Sequence, residues 1–103
     1  MEQPETIFKK KVIEFLKFLP KTWFLKTQEL AIKGVPDILA CVNGTFVAME
    51  LKVEARLDKL QLYNLNRIQE CKGYSVEVTP KNWKEVKKVL RTFLIDNHKG
   101  EWT

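Results

Sequence analysis

Histidine occurs once and cysteine twice in this chain of 103 residues, too few and too scattered to build a zinc site. Cys41 lies in an apolar run with strand character, and Cys71 ends an amphipathic helical pattern. Both are expected to be buried free thiols, not partners in a disulfide. No apolar run approaches the ~20 residues a membrane helix needs. The opening MEQPETIFKKK begins with an acid and has no apolar segment behind a basic start, so no secretory signal is expected and the chain reads as intracellular. Internal repeats, linkers and low-complexity stretches are also missing. The length suits one domain over residues 1–103, with a single core.

What is present is ordinary for a folded domain: 45% hydrophobic and 30% charged residues. The formal charge of +5 is a mild lean toward polyanions, and solubility alone would account for it. From Pro4 to Leu19, Phe8, Val12, Phe15, Leu16 and Leu19 recur at helical spacing, and Pro20 stops the run. Thr22–Thr27 is short, aromatic and β-branched, and reads as a strand. A second helix is expected from about Asp58, a good N-cap, to Gly73 as its stop. Tyr74–Val78 alternates as a strand, and Thr79-Pro80 is expected to open a last helix with Trp83, Val86, Leu90, Phe93 and Leu94 as its apolar stripe. Trp23, Phe24, Trp83 and Phe93 are expected in the core. The last six residues, HKGEWT, form a polar tail in which Trp102 could support a dimer contact.

Between the first two of these segments and the second helix lies the most informative stretch, GVPDILACVNGTFVAMELK. Asn43-Gly44 flanked by apolar runs is the strongest short-range signal for a two-residue hairpin turn. The arms are then Asp37–Val42 and Thr45–Val53, with Val42 opposite Thr45 and Ile38 opposite Met49. Asp37 falls across from Glu50. Opposed like charges destabilise a sheet, so this pair asks for a cation between them. Lys52, two residues on, shares the face of Glu50. Pro36 fits at the entry of its strand, having no N–H for the ladder. The resulting order is α-β-β-β-α-β-α, a compact α/β domain with a mixed sheet flanked by helices.

That order, with Pro36-Asp37 and then Glu50-Leu51-Lys52, resembles the PD-(D/E)XK nuclease superfamily. More narrowly, the chain is similar to the virus-type replication-repair nuclease (VRR-NUC) family. Pro4-Glu5, Lys33-Gly34-Val35-Pro36-Asp37, Met49-Glu50-Leu51-Lys52 and Gln61 carry the likeness, which runs from Pro4 to about Val78. It implies a restriction-endonuclease-like core, α-β-β-β-α-β, with a C-terminal helix added. It further implies a metal-dependent DNA endonuclease selective for branched or junction DNA and repair intermediates.

Read through that resemblance, Asp37, Glu50 and the main-chain carbonyl of Leu51 hold Mg²⁺ or Mn²⁺. Mg²⁺ takes oxygen ligands and keeps several waters, so two carboxylates and a substrate phosphate suit it. Lys52 stabilises charge at the scissile phosphate or attacking water. Gln61 is carried over as a rim residue holding Lys52 or the phosphate, and Glu5 as the first-helix acid, a role for which Glu14 is the alternative. Lys26 and Lys33 are the candidates for DNA phosphate contacts. Each residue also has a plainer reading: solvated acids, an ordinary Lys52–Glu50 pair, a helix-start acid at Glu5 and a helix-boundary glutamine. The expected partner is DNA, with a homodimer presenting two sites to a junction and no membrane. The competing readings are a non-catalytic nucleic-acid-binding module on the same fold and a small interaction domain.

Overall fold

A computed structural model describes residues 2–95, Glu29 by its backbone alone; the tail 98–103, Trp102 included, lies outside the described residues. The elements are α1 (Pro4–Phe18), β1 (Thr22–Lys26), a 3₁₀ turn (Gln28–Leu30), β2 (Ile38–Val42), β3 (Thr45–Leu51), α2 (Lys59–Glu70), β4 (Tyr74–Val78) and α3 (Trp83–Thr92). The strands form one mixed sheet in the order β1-β2-β3-β4. β1 and β2 pair antiparallel, as do β2 and β3, whereas β3 and β4 are parallel across the α2 crossover. This is the predicted α/β architecture in the predicted order.

The hairpin turn works because both central residues adopt positive φ, Asn43 at 48° and Gly44 at 90°. It sets the predicted register from Val42↔Thr45 to Ile38↔Met49. β3 ends at Leu51, two residues short of the sequence reading, where Lys52 N–H donates to Val78 O at 2.9 Å. Thr79-Pro80 does not open the last helix. Thr79 N–H donates to Asn82 Oδ1 at 2.7 Å and Asn82 N–H returns to Thr79 Oγ1 at 3.2 Å, a closed turn that delays α3 to Trp83. At the end of α2 the left-handed residue is Lys72, φ 73°, in place of Gly73. Gly73 supplies room instead: a Cβ there would come 2.8 Å from Ile68 and 3.1 Å from Phe46.

One face of the sheet meets α1 and α3. Phe8, Val12 and Leu16 from α1 and Val86 and Leu90 from α3 bury themselves against Ile38, Ala40, Val42, Val47, Met49 and Val78. Each large aliphatic side chain so buried contributes roughly 1.5–3 kcal/mol. Among the described residues the other face meets α2, through Leu65 and a hydrogen bond from buried Ser75 Oγ to Leu65 O at 2.5 Å. α2 stands over β3 and β4, so Val47, Ala48, Met49 and Glu50 are all buried in succession. Over β1 and β2 no other described helix covers that face. Trp23, Cys41 and Phe46 form a cross-strand row there, with Trp23 64% exposed. The expectation of buried thiols is therefore corrected: Cys41 faces the uncovered side and Cys71 caps the end of α2, both exposed. Trp23 likewise does not belong to the core, whereas Phe24, Trp83 and Phe93 pack against it.

The topology places all three helix starts at one end of the sheet. β3 and β4 finish there, beside the entry of β2. α2 and α3 begin just after those strand ends. α1 finishes at the opposite end, where Asn43 N–H reaches Lys21 O at 2.7 Å. The acids sit at the end where the helices begin.

Candidate active site

Asp37 is the residue immediately before β2, behind the buried Pro36. Its position is fixed by Thr27, which is itself buried. Thr27 N–H donates to Asp37 O at 2.9 Å, and Thr27 Oγ1 to Pro36 O at 2.5 Å. The carboxylate turns toward β3, where Asp37 Oδ2 accepts from Leu51 N–H at 2.8 Å. Glu50 comes from the central strand and is 3% exposed. Its Oε2 accepts from Gln61 Nε2 at 3.1 Å and lies 3.7 Å from Lys52 Nζ. Its Oε1 is buried with no hydrogen-bond partner among the described residues.

Burial, followed by the neighbouring Asp37 carboxylate, pushes the Glu50 carboxyl up to about 7; Lys52 pulls it the other way and Asp58 adds to the rise. The sequence-derived opposition of the two acids is thus present, one step beyond the last ladder pair.

Gln61 owes its orientation to the start of α2. Asp58 Oδ1 accepts from Gln61 N–H at 2.8 Å, and Gln61 Oε1 accepts from Asp58 N–H at 3.0 Å, a complete capping box. With Oε1 committed to that N–H, the amide NH₂ is left to face Glu50. The partner of Gln61 is therefore Glu50, where the sequence reading had Lys52 or the phosphate.

Glu5 lies on the exposed first turn of α1 and lines the same groove as Asp37 and Lys26. Glu14 is 2.5 turns further along, toward the hairpin end. Lys33 lines a smaller hollow together with Thr27 and Asp37. Among the described residues no three His, Cys, Asp or Glu side chains gather closely enough to hold a metal ion, so Glu5 does not join the two acids. The pair itself suits a divalent cation: two neighbouring carboxylates, with one oxygen buried without a donor among the described residues. Asp37, Glu50 and the Leu51 carbonyl would hold it, with water and substrate oxygens completing the shell.

Two contributors escaped the sequence reading. Thr27 looked like the last residue of a strand, and nothing in TWFLKT marks it as the clamp on Pro36-Asp37. Asp58 was legible as an N-cap, and the glutamine three residues later is a capping-box signal that ties it to the site. Comparison with protein-family models, curated proteins and solved structures gives no match.

Proposed function

We propose that this domain is a divalent-metal-dependent DNA endonuclease, selective for branched DNA over linear duplex. The observation that carries the reading is the buried Glu50 carboxylate, held beside Asp37 with one oxygen unpartnered among the described residues. Holding a second carboxylate beside a buried one is costly even with Lys52 at 3.7 Å, and a chain has little reason to keep both there for stability alone. A bound Mg²⁺ or Mn²⁺ supplies Lewis-acid polarisation of a phosphoryl group and a more acidic water. Gln61 holds Glu50 Oε2 and so leaves Oε1 to face the cation. Lys52, 18% exposed, keeps its ammonium at the mouth of the site, where it can donate to a phosphate oxygen or the attacking water. Lys26 and Lys33, both exposed, flank the entry to Asp37 and suit sequence-independent phosphate contacts.

The test is incubation of the purified chain with a four-way junction and a linear duplex, with Mg²⁺ or EDTA. Junction cleavage that requires the metal is expected. DNA binding without cleavage under any divalent ion would instead favour the non-catalytic module.

The same reading includes a homodimer, since a two-fold pair of sites matches a symmetric junction. The open sheet face suits it: the row Trp23, Cys41 and Phe46 carries no charge in a chain whose residues are 30% charged. Trp23→Glu is expected to shift the sedimentation coefficient from dimer to monomer. A wild-type chain that sediments as a monomer at micromolar concentration would remove this part of the proposal.

A further inference from the structure

The surplus positive charge of this chain is unevenly placed. α1 carries four lysines against two glutamates, and α3 three lysines and an arginine against one glutamate. Their joint surplus of five equals the +5 of the whole chain, so everything outside these two helices balances to zero. The fold then sets the two helices side by side on one face of the sheet. Trp83 of α3 meets Phe8 and Phe15 of α1 edge-on, with ring centres 6.2 and 5.3 Å apart.

Cations stand over this aromatic seam. Lys87 Nζ lies 5.5 Å from the Trp83 ring centre, and the Arg91 guanidinium 5.1 Å from that of Phe15. Lys84 and Lys88 are exposed on the same helix, and among the described residues Lys88 pairs with Glu85 at 3.5 Å. A groove lined by both helices runs along the seam and reaches Asp37 at one end.

We propose that the α1–α3 layer is a tracking surface for a nucleic-acid backbone, leading the strand toward or away from the acid pair. The polyanion is chosen by charge complementarity: a one-signed surplus confined to one layer is the footprint of phosphate binding. An anionic membrane is the weaker fit. Helices that lie on membranes insert their apolar face, and that of α3 is already committed to the core through Val86 and Leu90. The link to the acid pair rests on the nuclease reading; the binding itself does not.

The experiment is binding of a labelled duplex and a junction to the full chain in EDTA, by fluorescence anisotropy, over about 50–200 mM salt. The triple variant Lys84→Gln/Lys87→Gln/Arg91→Gln is expected to bind roughly tenfold or more weakly and to flatten the log K against log salt slope by about 2–3. Lys59→Gln/Arg67→Gln on α2 removes two cations elsewhere and is expected to leave the slope within about one unit. Lys59, Arg67, Lys84 and Arg91 are exposed and Lys87 is half-buried, and far-ultraviolet circular dichroism checks the folds. An unchanged slope in the α3 variant, an equal loss in the α2 variant, or binding to phosphatidylserine vesicles without binding to DNA would each overturn the proposal. A chain that binds with these slopes but never cuts would sink the nuclease reading and leave this one standing. A chain that cuts junctions with no dependence on the α3 cations would do the reverse.

Discussion

Asp37→Asn is expected to slow metal-dependent cleavage by about 10³-fold or more while leaving the fold intact. The asparagine oxygen can still accept from Leu51 N–H, and the contacts from Thr27 go to main-chain oxygens, so the local backbone keeps its ties. What is lost is one of two negative charges. Mn²⁺ titration followed by electron paramagnetic resonance should show weaker binding in the variant, and single-turnover kinetics should show the rate loss. A variant that kept more than about a tenth of the wild-type rate would remove Asp37 from the chemistry.

Glu50→Gln is expected to raise the melting temperature in EDTA at alkaline pH, on the order of 10 °C, while abolishing stabilisation by divalent cation. The sign follows from the direction of the shift. The folded carboxyl, raised from 4.5 to about 7, holds its proton more tightly than the unfolded one. Between those two values folding takes up a proton, so the contribution of Glu50 to stability falls as pH rises. Below about 4.5 it carries no penalty; above about 7 the whole penalty remains, on the order of 3 kcal/mol. A neutral glutamine escapes it. Wild type and variant should therefore melt alike in acid and diverge through the neutral range. Saturating Mn²⁺ should narrow or reverse the gap by stabilising only the wild type. A variant less stable than wild type at pH 8 in EDTA would show that Glu50 is not held against its charge.

How much of this was legible differs from element to element. The hairpin was, because Asn43-Gly44 names its turn type and the period of two then fixes every partner down to Ile38↔Met49. That register brought Asp37, Glu50 and Lys52 together on paper before any fold existed. The exposure of Trp23 and Cys41 was not legible: alternation tells which residues share a face, but not whether a helix covers it. Only the placement of α2 over β3 and β4 leaves the β1–β2 half bare. The start of α3 was misread because Thr79 and Asn82 satisfy each other in a turn, competing with the helix that Pro80 seemed to open. Gly73 was legible as the stop of α2, but not that the left-handed residue is Lys72, one before it, while Gly73 supplies the room beside Ile68 and Phe46. The Thr27 clamp depends on a contact ten residues away in sequence, beyond any local pattern.

The shared end of the sheet where all three helices begin has an electrical consequence. Each helix presents the equivalent of about half a positive charge at its first turn. Of the three, only α2 closes its first turn with a side-chain cap; α1 and α3 have no capping hydrogen bond from Gln3 or Asn82. Their leading amides thus form a fixed, pH-independent positive field at the end of the sheet that holds Asp37 and Glu50. On the nuclease reading it would offset part of the repulsion an incoming phosphodiester meets there. Because that field is built from peptide groups, no single side-chain substitution can erase it.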